Sequence, residues 1–437
     1  MKFEVNVEAF RKAIKPAVEV ATRNVPSDAK FANLITIKAE KDRIILFAYS
    51  GRASIISPIS GSNCDSLDYE CKSDGKATVY GEDLFKFTNS FSSCKSVEFS
   101  LESNQLKIIP IVETKDKSKN KVLKMSSRSM PVVSETVVPP NIGREFSKES
   151  VIDREAFVVG MKDILFAPAF EEKYIMYMCM LLEIATKGTK DILRFSAGSG
   201  GRFAIKSVEG EHLVKGDKDL RVILPQINHQ TIFKLLSEAS CEEVTIKTVK
   251  ANAKDDIPQQ IMIEFDEMIM CVFGLEYFTK YPNLVDILDY QYPNRIYTEL
   301  EEWKDAVATI GGTYRQHDAD IHNTEIVFDT DNEVFVVTPQ TAYLSPSAVG
   351  IVDEDHSITK GEKIWFRCNS EYLFEMMVQG GKKGRVQLNF DSQSVLDSIK
   401  DDKLKQMKPV LIKFQTIENE VKNTSENFYI FFTVSTK

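Results

Sequence analysis

Glu8-Ala9-Phe10-Arg11-Lys12-Ala13-Ile14 returns, altered in detail, as Glu155-Ala156-Phe157-Val158-Val159-Gly160-Met161 and again as Glu301-Glu302-Trp303-Lys304-Asp305-Ala306-Val307. Each copy reads Glu, any residue, aromatic, two residues, small, aliphatic. The aromatic anchors at 10, 157 and 303 stand 147 and 146 residues apart. A second element keeps step with the first. Leu84-Phe85-Lys86-Phe87, Ile232-Phe233-Lys234-Leu235 and Leu373-Phe374-Glu375-Met376 share an aliphatic-Phe-charged-apolar core, with phenylalanines 148 and 141 residues apart. Each is followed by an alternating stretch, Val97-Glu98-Phe99, Val244-Thr245-Ile246 or Val386-Gln387-Leu388, the pattern of a half-buried strand. Three elements in one order, three times over, read as a tandem triplication with a unit of about 140–150 residues.

Within the first unit, Lys2 to Val7 alternates as a strand, and Glu8 to Thr22 sets Phe10, Ile14, Ala17, Val18 and Ala21 at helical spacing. Leu34 to Ile37 and Ile44 to Phe47 flank a charged turn and read as a hairpin. Ala53 to Ile59 adds a strand, and Thr78-Val79-Tyr80 leads into a second helix. Val97 to Ser100 and Leu106 to Ile109 pair across Glu102-Ser103-Asn104. Helices with one apolar face each cover one side of a sheet, so the expected class is α+β with antiparallel sheets and two helices per unit. Val138-Pro139-Pro140-Asn141-Ile142-Gly143 and Tyr292-Pro293-Asn294 read as linkers, which sets the units at 1–140, 147–291 and 293–437. The first two units each close on an aromatic or Met followed by Pro, at Met130-Pro131 and Tyr281-Pro282.

Composition narrows the function classes. The 437 residues are 43% hydrophobic and 27% charged, an ordinary globular balance that excludes a disordered chain. The longest apolar run, Ile175 to Leu182, is far short of the roughly 20 residues of a membrane-spanning helix. Met1-Lys2-Phe3-Glu4-Val5 carries no apolar signal core, so a cytoplasmic setting is expected. The net charge is −9, so attraction to DNA must come from a local patch or from enclosure rather than from the overall field. Glu113 to Arg128 departs locally, with six basic residues against two acidic ones, and reads as a solvated hairpin tip. The seven cysteines are scattered without a C-x-x-C pair, which argues against a zinc knuckle and a disulfide framework and for reduced, mostly buried thiols.

The pattern resembles the bacterial-type sliding clamp, the processivity subunit of a replicative DNA polymerase. Ala197-Gly198-Ser199-Gly200-Gly201-Arg202-Phe203 resembles that family's middle-domain loop Ala-Thr-Asp-Gly-His-Arg-Leu, and Tyr281-Pro282 resembles its aromatic-Pro ending. Pro409-Val410-Leu411-Ile412 followed by Tyr429-Ile430-Phe431-Phe432 resembles its last two strands. The departures are Ser199 and Gly201 in place of the loop's Asp and His, and Phe432 to Lys437 in place of the usual Met-Pro-Met-Arg-Leu ending. They suggest a divergent member, in the manner of a virus-encoded one.

The resemblance implies a homodimeric, head-to-tail ring of six similar units with sheets outside and helices lining a hole for duplex DNA. It implies no catalysis and no cofactor. Phosphate contacts without base contacts would let such a ring slide. Implied DNA-contacting residues are Arg11, Lys12, Lys15, Arg23, Lys86, Lys173, Tyr174, Lys234, Arg315, Lys382 and Lys383. The charge of the helical stretches supports this only in part: +2 over Glu8 to Asn24, +1 over Asn369 to Arg385 and −2 over Glu299 to Gln316. The resemblance also implies a groove for short linear motifs of a polymerase and a clamp loader. Its residues would be Gly200, Gly201, Arg202, Phe203, Pro225, Ile430, Phe431 and Phe432, with His229 and Gln230 where the family more often has aliphatic residues.

Other signals carry less. The His317 and His322 imidazoles, five residues apart, do not share a helical face, and the stretch between them reads as a polar loop rather than a metal site. Gly198 to Gly201 lacks the phosphate-loop pattern and precedes a strand. Glu171-Glu172 and Asp401-Asp402 are adjacent carboxylates that suit solvent better than an acid–base pair. A structural or scaffold protein of a virion with a triplicated β-rich domain is the competing reading, and a hydrolase on a duplicated scaffold is a third.

Overall fold

The computed structural model describes residues 1–22, 31–59, 69–91, 93–113, 122–124, 126–134, 137, 146–168, 178–198, 202–249, 260–273, 291–314, 323–329, 332–339, 346–351, 365–379, 384–390, 407–415 and 425–434. The linker at Val138 and the His317 and His322 stretch lie outside these, as do the carboxylate pairs at Glu171 and Asp401. It is an α+β protein of antiparallel sheets. Among the described residues there are six helices: α1 (Val7–Thr22), α2 (Gly81–Asn89), α3 (Arg154–Lys162), α4 (Gln226–Glu238), α5 (Leu300–Tyr314) and α6 (Ser370–Gln379). None is long and apolar enough to cross a membrane.

The chain folds into two compact units. The first holds Met1–Arg154, Val214–Asp217 and Ile227–Thr279; the second holds Glu155–Leu213, Lys218–Gln226 and Lys280–Lys437. The first unit contains two sheets. Sheet 1 is built from β1 (Lys2–Asn6), β5 (Glu70–Ser73), β7 (Ser96–Glu102), β8 (Gln105–Glu113), β9 (Val122–Lys124) and β10 (Arg128–Pro131), in the order β5-β1-β7-β8-β10, with β9 also on β8. Sheet 2 runs β15-β11-β17-β18-β19-β4-β3-β2-β6. Its strands are β2 (Leu34–Ala39), β3 (Ile44–Tyr49), β4 (Ala53–Ile59), β6 (Gly75–Tyr80), β11 (Lys148–Asp153), β15 (Val214–Gly216), β17 (Glu243–Val249), β18 (Gln260–Phe265) and β19 (Met268–Val272).

The second unit holds sheets 3 and 4. Sheet 3 runs β16-β12-β13-β14-β27-β26-β25-β20, from β12 (Cys179–Lys187), β13 (Lys190–Gly198), β14 (Arg202–Gly210), β16 (Arg221–Pro225), β20 (Asn294–Glu299), β25 (Arg385–Phe390), β26 (Met407–Gln415) and β27 (Ser425–Val434). Sheet 4 runs β23-β22-β21-β24, from β21 (Asn323–Asp329), β22 (Val334–Pro339), β23 (Ser347–Gly350) and β24 (Trp365–Asn369).

Two strand orders recur. The order β5-β1-β7-β8-β10 is repeated by β15-β11-β17-β18-β19, and by β20-β25-β26-β27 without a strand at the β5 place. The order β4-β3-β2-β6 is repeated by β14-β13-β12-β16 and by β23-β22-β21-β24. Sheet 2 joins one run of each kind through β4 and β19, and sheet 3 joins another two through β14 and β27. Sheet 1 and sheet 4 are the runs left over, and among the described strands they end in unpaired edges at β10 and β23.

The sequence motif is a packing motif. Phe10, Phe157 and Trp303 are fully buried, as are Ile14, Met161 and Val307 at the aliphatic position. The small position lets the helix approach its sheet: a Cβ on Gly160 would sit 2.2 Å from the Phe195 ring, which also meets Phe157 edge-on with centroids 5.2 Å apart. Trp303 keeps its indole N–H satisfied by donating to Thr298 Oγ1 at 2.7 Å. Helix starts are fixed locally: Asn6 Oδ1 accepts from the Glu8 and Ala9 amides at 2.8 and 3.2 Å, capping α1.

Apolar rows run unbroken across the joints. In sheet 2 the row Ile246, Ile263, Met270, Ile55, Ala48, Ile35, Val79 is buried throughout. In sheet 3 the row is Leu224, Met180, Ala197, Ala204, Tyr429, Ile412, Leu388, Ile296. A side chain inside the sheet 2 row is held by neighbours on both adjacent strands. The Met270→Ala substitution, at the β4–β19 joint, should cost about 3 kcal/mol of stability by the cavity it leaves, measured by urea unfolding. A loss below about 1 kcal/mol would mean that the joint is not tightly packed.

Candidate functional site

The candidate cations on the helices are mostly committed to the protein itself. Arg11 on α1 donates from Nε and a terminal nitrogen to the Thr88 carbonyl at 2.8 and 2.6 Å, and to the Asn89 carbonyl at 2.9 Å. Its guanidinium therefore caps the C-terminal end of α2, where unpaired carbonyls carry the negative end of the helix dipole. Arg154, which no sequence signal singled out, does the same work for α4 by donating to the Leu236 and Cys241 carbonyls at 3.2 and 2.7 Å. Lys15 pairs with Glu238 at 2.6 Å, and Lys234 pairs with Glu19. Lys86 is exposed, 3.5 Å from Glu82 one turn back on α2. Lys12 is exposed and makes no ion pair among the described residues.

Arg23, Lys173, Tyr174, Arg315, Lys382 and Lys383 lie outside the described residues. The helical stretches read from sequence are also trimmed. The last helix ends at Gln379, so Arg385 opens a strand, and its partner there is Glu299 at 3.9 Å. Glu299 likewise closes β20 rather than starting α5. The remaining exposed face of α5 carries Glu301, Glu302 and Asp305. On α3 and α6 the exposed residues include Val159 and Val378.

The residues of the expected groove gather at one end of sheet 3. β14 lies beside β27 with Phe203 opposite Ile430 and Arg202 opposite Phe431, and Phe432 stands opposite Pro409. Pro225 ends β16 opposite Cys179, three strands from β14, or about 14 Å across the sheet. Phe203 is buried, 4% exposed, and Pro225 is buried as well. Gly200 and Gly201 lie outside the described residues.

One further feature escaped the sequence reading. Lys206 is buried in β14 with its ammonium 2.8 Å from Asp163 after α3, and a lysine directly after the apolar run Phe203-Ala204-Ile205 was the available signal. On α4, His229, which the sequence had marked, is buried with neither ring nitrogen hydrogen-bonded among the described residues, and Gln230 is exposed. Burial holds the His229 imidazole neutral, with its pKa pushed down to about 4. Among the described residues no group of three His, Cys, Asp or Glu could hold a metal ion. Cys179 and Cys271 are buried and Cys71, Cys94 and Cys241 half-buried, none of the five in a disulfide.

With that geometry in place, the solved structures of similar shape are informative. The chain matches the DNA polymerase sliding clamp of Pseudomonas aeruginosa over 100% of both chains, with a TM-score of 0.73 and 15% identity. The DNA polymerase III beta chain of Caulobacter crescentus matches equally fully, with a TM-score of 0.74 and 15% identity. That of Streptococcus pneumoniae gives 0.71 and 14%.

This chain has the sliding-clamp fold.

No protein-family model matches the sequence, and no curated protein matches it.

Two substitutions test the local chemistry. Arg11→Lys keeps the charge but loses the planar fork, so stability should fall by about 1 kcal/mol in urea unfolding; an unchanged midpoint would remove the cap from the argument. His229 is neutral when folded and protonates near pH 6.5 when unfolded. Its contribution is therefore complete above about pH 6.5 and shrinks toward pH 4, by about 3 kcal/mol in all. The His229→Leu substitution should flatten the fall in stability between pH 6.5 and 4, and a fall of the same steepness would show that another group is responsible.

Proposed function

We propose that this chain is a DNA sliding clamp, a non-catalytic processivity factor that encircles duplex DNA and tethers a replicative polymerase. The observation that carries the reading is the pair of leftover runs. The same two runs that join within the chain at β4–β19 and β14–β27 stand open at β10 and β23. A second copy supplies each open run with the partner it lacks, head to tail, and two copies close the circle as a homodimer. Three homologous domains, 1–140, 147–291 and 293–437, follow from this. The two compact units then each hold one complete joint.

In this reading the end of sheet 3 receives short apolar motifs of the polymerase and the clamp loader, along Arg202, Phe203, Pro225, Ile430, Phe431 and Phe432 with the loop at Gly200 and Gly201. Lys12 and the cations outside the described residues face phosphates. No cofactor is required, and the place of action is the replicating DNA of a cytoplasm. The full-length likeness to the Pseudomonas and Caulobacter clamps supports the proposal.

The experiment loads the protein onto nicked circular duplex with its cognate loader and polymerase, then linearises the DNA. The chain should stay on the circle, leave within minutes of linearisation and lengthen primer-extension products. Retention that ignores DNA topology, or products of unchanged length, would contradict the proposal. Assemblies much larger than two 49.5 kDa chains would favour the scaffold reading.

A further inference from the structure

Helices α1 and α4 both belong to the first unit, and two ion pairs of opposite sense join them. Lys15 of α1 reaches Glu238 of α4 at 2.6 Å, and Glu19 of α1, one turn further on, receives Lys234 of α4. Residues four apart on a helix share a face, so Lys15 and Glu19 form one edge and Lys234 and Glu238 the other, with the signs crossed. The pairs are not equally wet. The Lys15 and Glu238 side chains are 40% and 46% exposed, whereas those of Lys234 and Glu19 are 33% and 16% exposed.

The recurrent motifs give the equivalent positions elsewhere, and none repeats the arrangement. Counting from the aromatic anchors, Lys15 and Glu19 correspond to Lys162 and Phe166, and to Ala308 and Gly312. Counting from the second motif, Lys234 and Glu238 correspond to Lys86 and Ser90, and to Glu375 and Gln379. The crossed pairs are therefore special to α1 and α4, not a relic of the triplication.

We infer that Glu19 and Glu238 withhold Lys15 and Lys234 from nucleic acid, locking both ammonium groups into a charge-neutral clasp between α1 and α4. This rests on the proposed function and goes further, because it says which cations the duplex does not meet. A lysine already paired with a carboxylate releases no counterion from DNA unless it gives up that partner. The clasp does two jobs at once. It ties the helices across the β4–β19 joint, and it keeps their face weakly attractive, so that enclosure rather than affinity retains the duplex and sliding stays free.

The test measures the salt dependence of binding of the full-length protein to a short linear duplex by fluorescence anisotropy. Freeing both lysines with Glu19→Gln and Glu238→Gln should steepen the slope of log affinity against log salt by about 1.8, the value for two added phosphate contacts. Adding Lys15→Ala and Lys234→Ala to that variant should return the slope to the wild-type value. An unchanged slope in the glutamine variant, together with a flatter one when only the lysines are removed, would overturn the inference. A thermal-unfolding cycle on Lys234 and Glu19 reads the clasp without DNA: the two single substitutions should lower Tm by more than their combination implies if they acted independently. Additive shifts would deny the clasp. Wild-type protein that shows no retention on circular DNA would instead defeat the clamp reading, leaving the cycle to judge the clasp alone.

Discussion

Antiparallel pairing between strands that lie far apart in sequence is the constraint on which the rest depends. A run of four or five strands ends in an edge whose N–H and C=O groups need a partner or water. Here β4 finds β19, more than 200 residues away, and β14 finds β27 at a similar remove. Each joint turns two short runs into one sheet of eight or nine strands and carries an apolar row straight across. The two compact units are the product of those joints. A triplicated chain joined in this way has one run of each kind left at its two ends, and that remainder is what points to a second copy.

The helices sit above these sheets and meet them through the motif that first exposed the repeat. The aromatic and aliphatic positions fill the core, and the small position lets the backbone come close, as at Gly160 over Phe195. This is why those residues recur while the exposed ones drift. Nothing in the packing holds Lys12 or Val159 to a type. Charge at such unpaired positions on the outer helical face can therefore be reassigned with little cost to the fold.

Much of this was legible in the sequence. Alternation placed β1 to β4 and the β7–β8 hairpin, with β4 at its full length and β8 four residues short at its end, and helical periodicity marked α1, because both are local consequences of one buried face. The expected helix from Asn369 to Arg385 ran past its end at Gln379, since charge composition gives no stop signal. The joints were invisible, because the choice of β19 as the neighbour of β4 is made by tertiary packing of strands that look alike. The state of the cations was hidden for the same reason. Arg11 and Lys15 look equally available in a sequence, yet one caps α2 and the other is tied to a helix more than 200 residues on. The meeting of Phe203 with the strand holding Phe431 was foreseen only through resemblance.

The central claim is that β10 of one copy lies against β23 of another. The direct measurement mixes two single-cysteine variants, Ser129→Cys on β10 and Ala348→Cys on β23, both at exposed positions, under mild oxidation in which the unsubstituted protein forms no cross-link. The mixture should yield a disulfide-linked species of two chains that neither variant forms alone, and a chain carrying both cysteines should give a doubly linked pair. Equal cross-linking of each variant with itself, or none in the mixture, would contradict the head-to-tail joint and the ring that depends on it.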